Sequence, residues 1–217
     1  MDFNVARFNM VQQQLRPWDV SQPHILEIFQ TTPREHFVLN DFKQLAFSDT
    51  FLPIGHNQVM LPPKMVARIL QSLNLTKENS VLQIGTGTGY ITALLCQLVK
   101  NVTAIEILPE LAKESIENLK HFNYHNVTLH IGDGTEELIE EDPYDAIILT
   151  GSLRQLPKTL SKRLANNGKL FAVVGKSPAM SALLLTRVGK EHWRERILFE
   201  TEIPSLIYTP KQAGFQF

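Results

Sequence analysis

From Ser80 onward, short apolar runs alternate with stretches of helical spacing. Val81–Ile84 reads as a strand, Tyr90–Val99 as a helix and Val102–Glu106 as a second strand. Pro109–Phe122 follows as a helix, with Pro109 suited to its first turn. Val127–Ile131 is a third strand and Tyr144–Thr150 the most apolar one. The spacing then predicts a helix over Gln155–Leu164, ended at Asn166-Asn167-Gly168 with Gly168 in the left-handed cap, and a strand over Lys169–Val174. Strands that are apolar throughout and alternate with helices indicate a parallel sheet covered on both faces. Ser181–Val188 and Trp193–Glu200 have strand composition with no helix between them, which implies an antiparallel C-terminal edge. The fold class is α/β: a doubly wound, mostly parallel sheet.

The first 78 residues have another texture, with helical patterns broken by Pro17, Pro23, Pro33, Pro53, Pro62 and Pro63. Val11, Leu15, Ile25, Leu26 and Phe29 fall at helical spacings, and Ser21 with Pro23 marks a helix start. Phe51–Pro63 reads as a long ordered loop, and a helix over about Lys64–Leu73 presents Met65, Val66, Ile69, Leu70 and Leu73 on one face. Residues 1–78 are therefore expected to form a helical extension with a substrate-side loop. Residues 79–217 are expected to form the α/β core, the whole making one compact domain.

Composition narrows the class. Of 217 residues, 43% are hydrophobic and 20% charged, ordinary for a soluble enzyme. The net charge of −1, with no cluster of Lys and Arg, argues against a nucleic-acid partner. Cys96 is the single cysteine, so no internal disulfide can form, and its place in the apolar run Ile91–Leu98 suggests a buried thiol. No stretch approaches the roughly 18 apolar residues that span a bilayer, and the first ten residues lack the apolar core of a secretory signal. A cytoplasmic protein with no membrane partner is expected.

The chemistry concentrates in Val81-Leu-Gln-Ile-Gly-Thr-Gly-Thr-Gly-Tyr90, which sets Gly85, Gly87 and Gly89 between the first core strand and the first core helix. Glycine there permits a tight turn and close approach of a ligand to the backbone, and in doubly wound sheets this turn lies at the ligand-binding edge. A dinucleotide fingerprint needs G-x-G-x-x-G; here the third glycine comes one residue early and Tyr90 follows it. The turn suits a nucleoside without a pyrophosphate better than it suits a nicotinamide dinucleotide. Glu106 closes the second strand, where a carboxylate can accept from both hydroxyls of a ribose or simply sit exposed at a strand end. Ile107 and Leu108 come next and suit a purine face. Asp133, in Ile131-Gly-Asp-Gly134, either accepts from an adenine amino group or caps a helix, and both can hold.

Gly85–Gly89 with Glu106 and Gly132-Asp133-Gly134 resembles the pattern of class I methyltransferases, which have a Rossmann-like fold. The surrounding chain resembles the protein-L-isoaspartate O-methyltransferase family and its bacterial members. The similar segments are Met10-Val-Gln-Gln-Gln-Leu-Arg16, Thr32-Pro-Arg-Glu-His-Phe-Val38, Leu45-Ala-Phe-Ser-Asp49, Leu52-Pro-Ile-Gly-His-Asn-Gln58 and Tyr144-Asp-Ala-Ile-Ile148. They run in family order from residue 10 to about 176. The resemblance implies S-adenosyl-L-methionine as cofactor, S-adenosyl-L-homocysteine as product, and a protein or peptide bearing isoaspartate, or another small acceptor, as partner. It implies that Gly85, Thr86, Gly87, Gly89, Tyr90, Glu106, Ile107, Asp133 and Gly134 hold the cofactor, with no metal.

Two positions depart from the family. Gln83 stands where the family has an acid, and Val59-Met-Leu-Pro-Pro63 replaces Thr-Ile-Ser-x-Pro. Val59 and Leu61 thus remove both hydroxyls that, in the family, meet the substrate carboxylate. The substrate-side candidates are His56, Gln58, Val59, Leu61 and Arg154, with His56, Lys64 and Arg154 as the possible counter-charges for a carboxylate acceptor. A methyltransferase with a different, less polar acceptor fits the altered loop, and so does a non-catalytic module that binds the cofactor.

Overall fold

A computed structural model describes residues 2–136 and 143–207. The N-terminal part opens with α1 (Phe3–Met10), whose first amides are capped by the Asp2 carboxylate, and continues to α2 (Pro23–Thr31). The segment expected to be a loop instead forms a hairpin, β1 (Leu52–Gly55) with β2 (Gln58–Met60). Its two-residue turn, His56-Asn57, has φ of 51° and 56°. Two positive φ values in succession define the turn whose twist matches paired strands, and Asn tolerates that conformation well. Pro62 and Pro63 then end the hairpin and start α3 (Pro63–Leu73).

The core contains β3 (Ser80–Ile84), α4 (Tyr90–Leu98), β4 (Asn101–Glu106), α5 (Pro109–His121) and β5 (Val127–Ile131). It continues with β6 (Tyr144–Leu153), the short α6 (Lys158–Lys162), β7 (Leu164–Lys176), β8 (Ala179–Arg187) and β9 (Trp193–Glu200). The sheet order is β5-β4-β3-β6-β7-β8-β9. The first five are mutually parallel; β8 and β9 are antiparallel, so the edge has the expected sense. The order reverses between β3 and β6, and at such a switch point the carboxyl ends of the strands leave a crevice.

Alternation along β3 shows how the sheet is covered. Val81 belongs to one buried cluster, together with Leu15, Phe29, Phe37 and Leu70 of the N-terminal part and Leu94 of α4. Leu82 and Ile84 belong to the opposite cluster with Ile147, Leu149, Leu160 and Leu170. The extension therefore forms part of the layer over one face of the sheet.

The predicted helix over Gln155–Leu164 shrinks to α6. Residues 151–153 stay extended because Ser152 is bonded on both sides to the returning chain: its amide donates to Pro204 O at 2.9 Å, and its carbonyl accepts from the Leu206 amide at 3.0 Å. The next strand starts early, with the Tyr144 amide donating to Arg163 O at 2.8 Å. The left-handed residue is Asn167 (φ 63°), within β7, rather than Gly168. Gly168 serves close approach instead, since a Cβ there would lie 2.9 Å from Ala165 O.

Candidate active site

A cleft of about 860 Å³, counting space open to solvent, lies at the carboxyl ends of β3, β4 and β6. The glycine turn forms its floor. Gly85, Gly87 and Gly89 have φ of 85°, 57° and 95°, values that other residues adopt at a cost. The turn is tied down at both ends, by the Gly85 amide on Ile105 O (2.9 Å) and the Gly89 amide on Thr86 O (3.1 Å). The Thr150 hydroxyl donates to Gly85 O at 2.6 Å, and the Thr86 hydroxyl to Ile105 O at 3.3 Å.

Gln83 is buried beneath this turn. Its amide nitrogen donates to Gly85 O at 3.2 Å, and its oxygen accepts from the Thr92 hydroxyl at 2.8 Å. A carboxylate has no proton to give Gly85 O, so the amide at this position ties down the turn in a way an ionised acid would not.

Glu106 is 5% exposed and is the single charged residue among the described residues that line the cleft. One carboxylate oxygen accepts from the Gly87 amide at 2.8 Å and the other from the Leu108 amide at 3.1 Å. Glu106 is thus built into the turn rather than simply exposed at a strand end. Ile107 lines the same wall. Asp133 closes a local turn, its Oδ1 accepting from the Thr135 amide at 2.9 Å and the Thr135 hydroxyl at 2.7 Å, and it is not itself among the residues lining the cleft. The flanking Gly132 and Gly134 line the cleft, and a Cβ on Gly134 would come within 2.8 Å of Ile84.

Tyr90 lines the cleft and is almost wholly enclosed by protein, edge-on to Phe29 and Phe37. Burial pushes its phenol up to about 12. The Arg34 guanidinium sits 4.7 Å from the centre of the same ring. Arg34 is fully buried, and burial lowers its pKa from the ordinary arginine value. It donates from Nε to Ala46 O at 2.7 Å and from Nη2 to Leu61 O at 2.8 Å, which fixes the end of the hairpin against the cleft.

The hairpin contributes Ile54, Gln58, Val59, Met60 and Leu61 to the opposite wall. The expected counter-charges are elsewhere. His56 is exposed at the hairpin tip, Lys64 is paired with Asp49 and lies 4.2 Å above the Trp18 ring, and Arg154 is exposed beyond β6. None of the three lines the cleft. Two contributors had no signal that spacing could reveal. One is Arg34, whose burial no local pattern announces. The other is the segment Pro204–Ile207, which returns to complete the wall after the last strand. Among the described residues no three His, Cys, Asp or Glu side chains gather as metal ligands.

A doubly wound sheet with a glycine turn after β3 and an acid closing β4 is a frame for binding a nucleoside, and likeness to known proteins makes it that of an S-adenosylmethionine-dependent methyltransferase. Solved structures agree at the level of fold. A Plasmodium falciparum protein carrying S-adenosyl-L-homocysteine, itself assigned to the protein-L-isoaspartate O-methyltransferases, superposes with a TM-score of 0.82 at 20% identity, over 96% of this chain and 100% of that one. The family model for protein-L-isoaspartate(D-aspartate) O-methyltransferase matches residues 7–202. The protein-L-isoaspartate O-methyltransferase of Trichlorobacter lovleyi is 38% identical over 189 residues, covering 87% of each chain. That of Protochlamydia amoebophila is 36% identical over 201 residues, covering 91% of this chain and 95% of the relative. The chain belongs to the protein-L-isoaspartate(D-aspartate) O-methyltransferase family.

Proposed function

We propose that this chain transfers a methyl group from S-adenosyl-L-methionine to a carboxylate oxygen of an altered aspartyl residue in a protein or peptide, a repair reaction carried out in the cytoplasm. The observation that carries the reading is Glu106, a buried carboxylate at the cleft wall beside a turn of three glycines with positive φ. The donor set fits a nucleoside cofactor. Each Glu106 oxygen uses one lone pair on a backbone amide and keeps another for a ribose hydroxyl. Gly85, Thr86, Gly87 and Gly89 offer main chain to the cofactor, Ile107 an apolar face to the purine, and the loop at Asp133 and Gly134 closes the adenine end. Tyr90 backs the turn.

When bound, the cofactor supplies an electrophilic methyl on a sulfonium, and transfer breaks its carbon–sulfur bond with the electron pair left on sulfur. The protein's part is to align and to exclude water. A carboxylate is ionised at neutral pH and needs no general base. Positioning alone can supply roughly 7–11 kcal/mol of such a barrier.

A second reading concerns the acceptor. Val59, Met60 and Leu61 make the hairpin wall apolar, and Glu106, the one charged lining residue among those described, is an anion; this favours an acceptor less polar than isoaspartate. One experiment separates the readings: incubation with methyl-labelled S-adenosylmethionine and an isoaspartyl hexapeptide, its normal aspartyl counterpart, or no peptide. Base-labile label on the isoaspartyl peptide alone supports the first reading. Cofactor binding with no label on that peptide supports the second, and tighter binding of NAD than of S-adenosylmethionine would remove both.

A further inference from the structure

Val59, Met60 and Leu61 bring no hydroxyl to the cleft, and the structure brings one to it at Ser205, 144 positions further along the chain than Leu61. The hydroxyl-bearing residues lining the cleft are Thr86, Thr88, Tyr90, Thr150 and Ser205. Thr86 donates to Ile105 O of β4, and Thr150 of β6 donates to Gly85 O of the glycine turn. Thr88 and Tyr90 are buried, 2% exposed each. Ser205 is exposed, and its hydroxyl makes no hydrogen bond to protein among the described residues.

Its mounting is firm. The Ser152 amide donates to Pro204 O at 2.9 Å, the Leu206 amide donates to Ser152 O at 3.0 Å, and the Ser152 hydroxyl donates to Ile203 O at 3.0 Å. Ser152 itself is 1% exposed at the end of β6, so the residues on both sides of Ser205 are fastened to the sheet. The Leu206 side chain packs over Gly85 and Gly151, which leaves the strap little room to shift. A donor held this way is preorganised, and the acceptor carboxylate has to be held in one orientation for transfer.

Resting on the proposed carboxylate acceptor, we infer that Ser205 is the acceptor-binding residue that donates a hydrogen bond to the substrate carboxylate, a donor that the aliphatic side chains of Val59 and Leu61 in the same cleft cannot supply. It keeps its proton throughout and acts on binding and orientation.

The test measures binding of an isoaspartyl hexapeptide to the full-length protein saturated with S-adenosylhomocysteine, by calorimetry. Ser205→Ala should weaken the peptide about tenfold, near the lower end for a hydrogen bond to a charged group. Ser205→Thr should retain most of the affinity. Leu61→Ser in the Ser205→Ala background should recover part of the loss. S-adenosylhomocysteine affinity and melting temperature should stay at wild-type values, since the residue is exposed. Wild-type peptide affinity in Ser205→Ala would overturn the assignment and leave the proposed reaction standing. A wild-type protein that binds S-adenosylhomocysteine but not the peptide would overturn the carboxylate acceptor, and the role of Ser205 with it.

Discussion

Replacing Glu106 with alanine tests the cofactor half of the site, and the structure makes the outcome more specific than the residue's place at a strand end would suggest. The carboxylate is committed twice to backbone, to the Gly87 amide at 2.8 Å and to the Leu108 amide at 3.1 Å, at 5% exposure. Truncation removes the acceptor of both amides at once. Hydrogen bonds to charged groups contribute about 1.5–3 kcal/mol each, and a buried donor left alone costs about 1–3 kcal/mol. Water entering from the cleft recovers part of this, so a stability loss of about 1–3 kcal/mol is expected, lowering the melting temperature by about 3–10 °C for a chain of this size. Loss of the two ribose bonds should cost a further about 2–4 kcal/mol of cofactor binding, about 30- to 1,000-fold in Kd.

Glu106→Gln separates the two effects from simple loss of volume. The carboxamide keeps the shape but must turn its NH₂ toward one of the two amide donors, so it should also destabilise the turn. Calorimetric titration of S-adenosylhomocysteine well below the melting transition, together with scanning calorimetry, reads both quantities. A lower melting temperature with wild-type affinity would refute the ribose role and leave Glu106 as a brace of the glycine turn. Wild-type values of both would refute the whole account of this residue.

Other substitutions probe the remaining parts. Val59→Thr with Leu61→Ser should raise kcat/KM for an isoaspartyl peptide at least severalfold from a low wild-type value; robust wild-type turnover, unchanged in the double variant, would show the hydroxyls to be dispensable. Gly151→Ala would place a methyl 2.8 Å from Leu206 N and 2.9 Å from Leu206 Cγ, so it should displace the strap and weaken peptide binding while the sheet stays folded, as circular dichroism would show. Burial pushes Cys96 and Tyr90 each up to about 12, from ordinary values of 9.0 and 10.0. The folded state therefore holds these protons where the unfolded chain releases them. Their contribution is fully present below about pH 9 and is lost as pH rises toward 12, at roughly 1.4 kcal/mol per pH unit for each group within its window. Melting temperatures across this range should fall, and Cys96→Ala should flatten the first part of the slope. A slope unchanged in that variant would count against the buried thiol.

What was legible in the sequence was whatever depends on local pattern. The central parallel strands β3, β4 and β6 announced themselves as apolar runs because both their faces are covered, and the glycine turn because its backbone admits little else. Val127–Ile131 and Trp193–Glu200 coincide with the observed strands to the residue. Failures occur where a distant partner decides. The helix expected over Gln155–Leu164 is cut short because Ser152 is occupied by residues 203–206, a pairing across some fifty positions that no window can register. The hairpin at 52–60 was hidden because Pro53 and Gly55 suggest a loop, whereas the pair His56-Asn57 forms a turn that joins strands. The cleft divides in the same way. Its glycine-turn side follows from short local motifs, while Arg34, which braces Leu61 from behind the wall, and Ser205, which lines it, arrive by packing from both ends of the chain.

The apolar hairpin wall also bears on which kinetic constant the substitutions should move. The proposed transfer joins an anionic acceptor to a cationic donor and yields two neutral products, so charge disappears along the reaction. A wall of Val59, Met60 and Leu61 penalises an anionic acceptor on entry, because a desolvated carboxylate needs donors around it. The same wall penalises the transition state less, where that charge is already partly gone, and interactions that differ between ground and transition state decide kcat. An acceptor held by Ser205 alone should therefore show a high KM with a kcat less affected. Val59→Thr with Leu61→Ser should act chiefly by lowering KM. Initial rates over a wide range of isoaspartyl peptide, at saturating S-adenosylmethionine, would show this split. A double variant that raised kcat with KM unchanged would mean that the hydroxyls act in the transition state, and that the wall's cost on binding has been assigned to the wrong step.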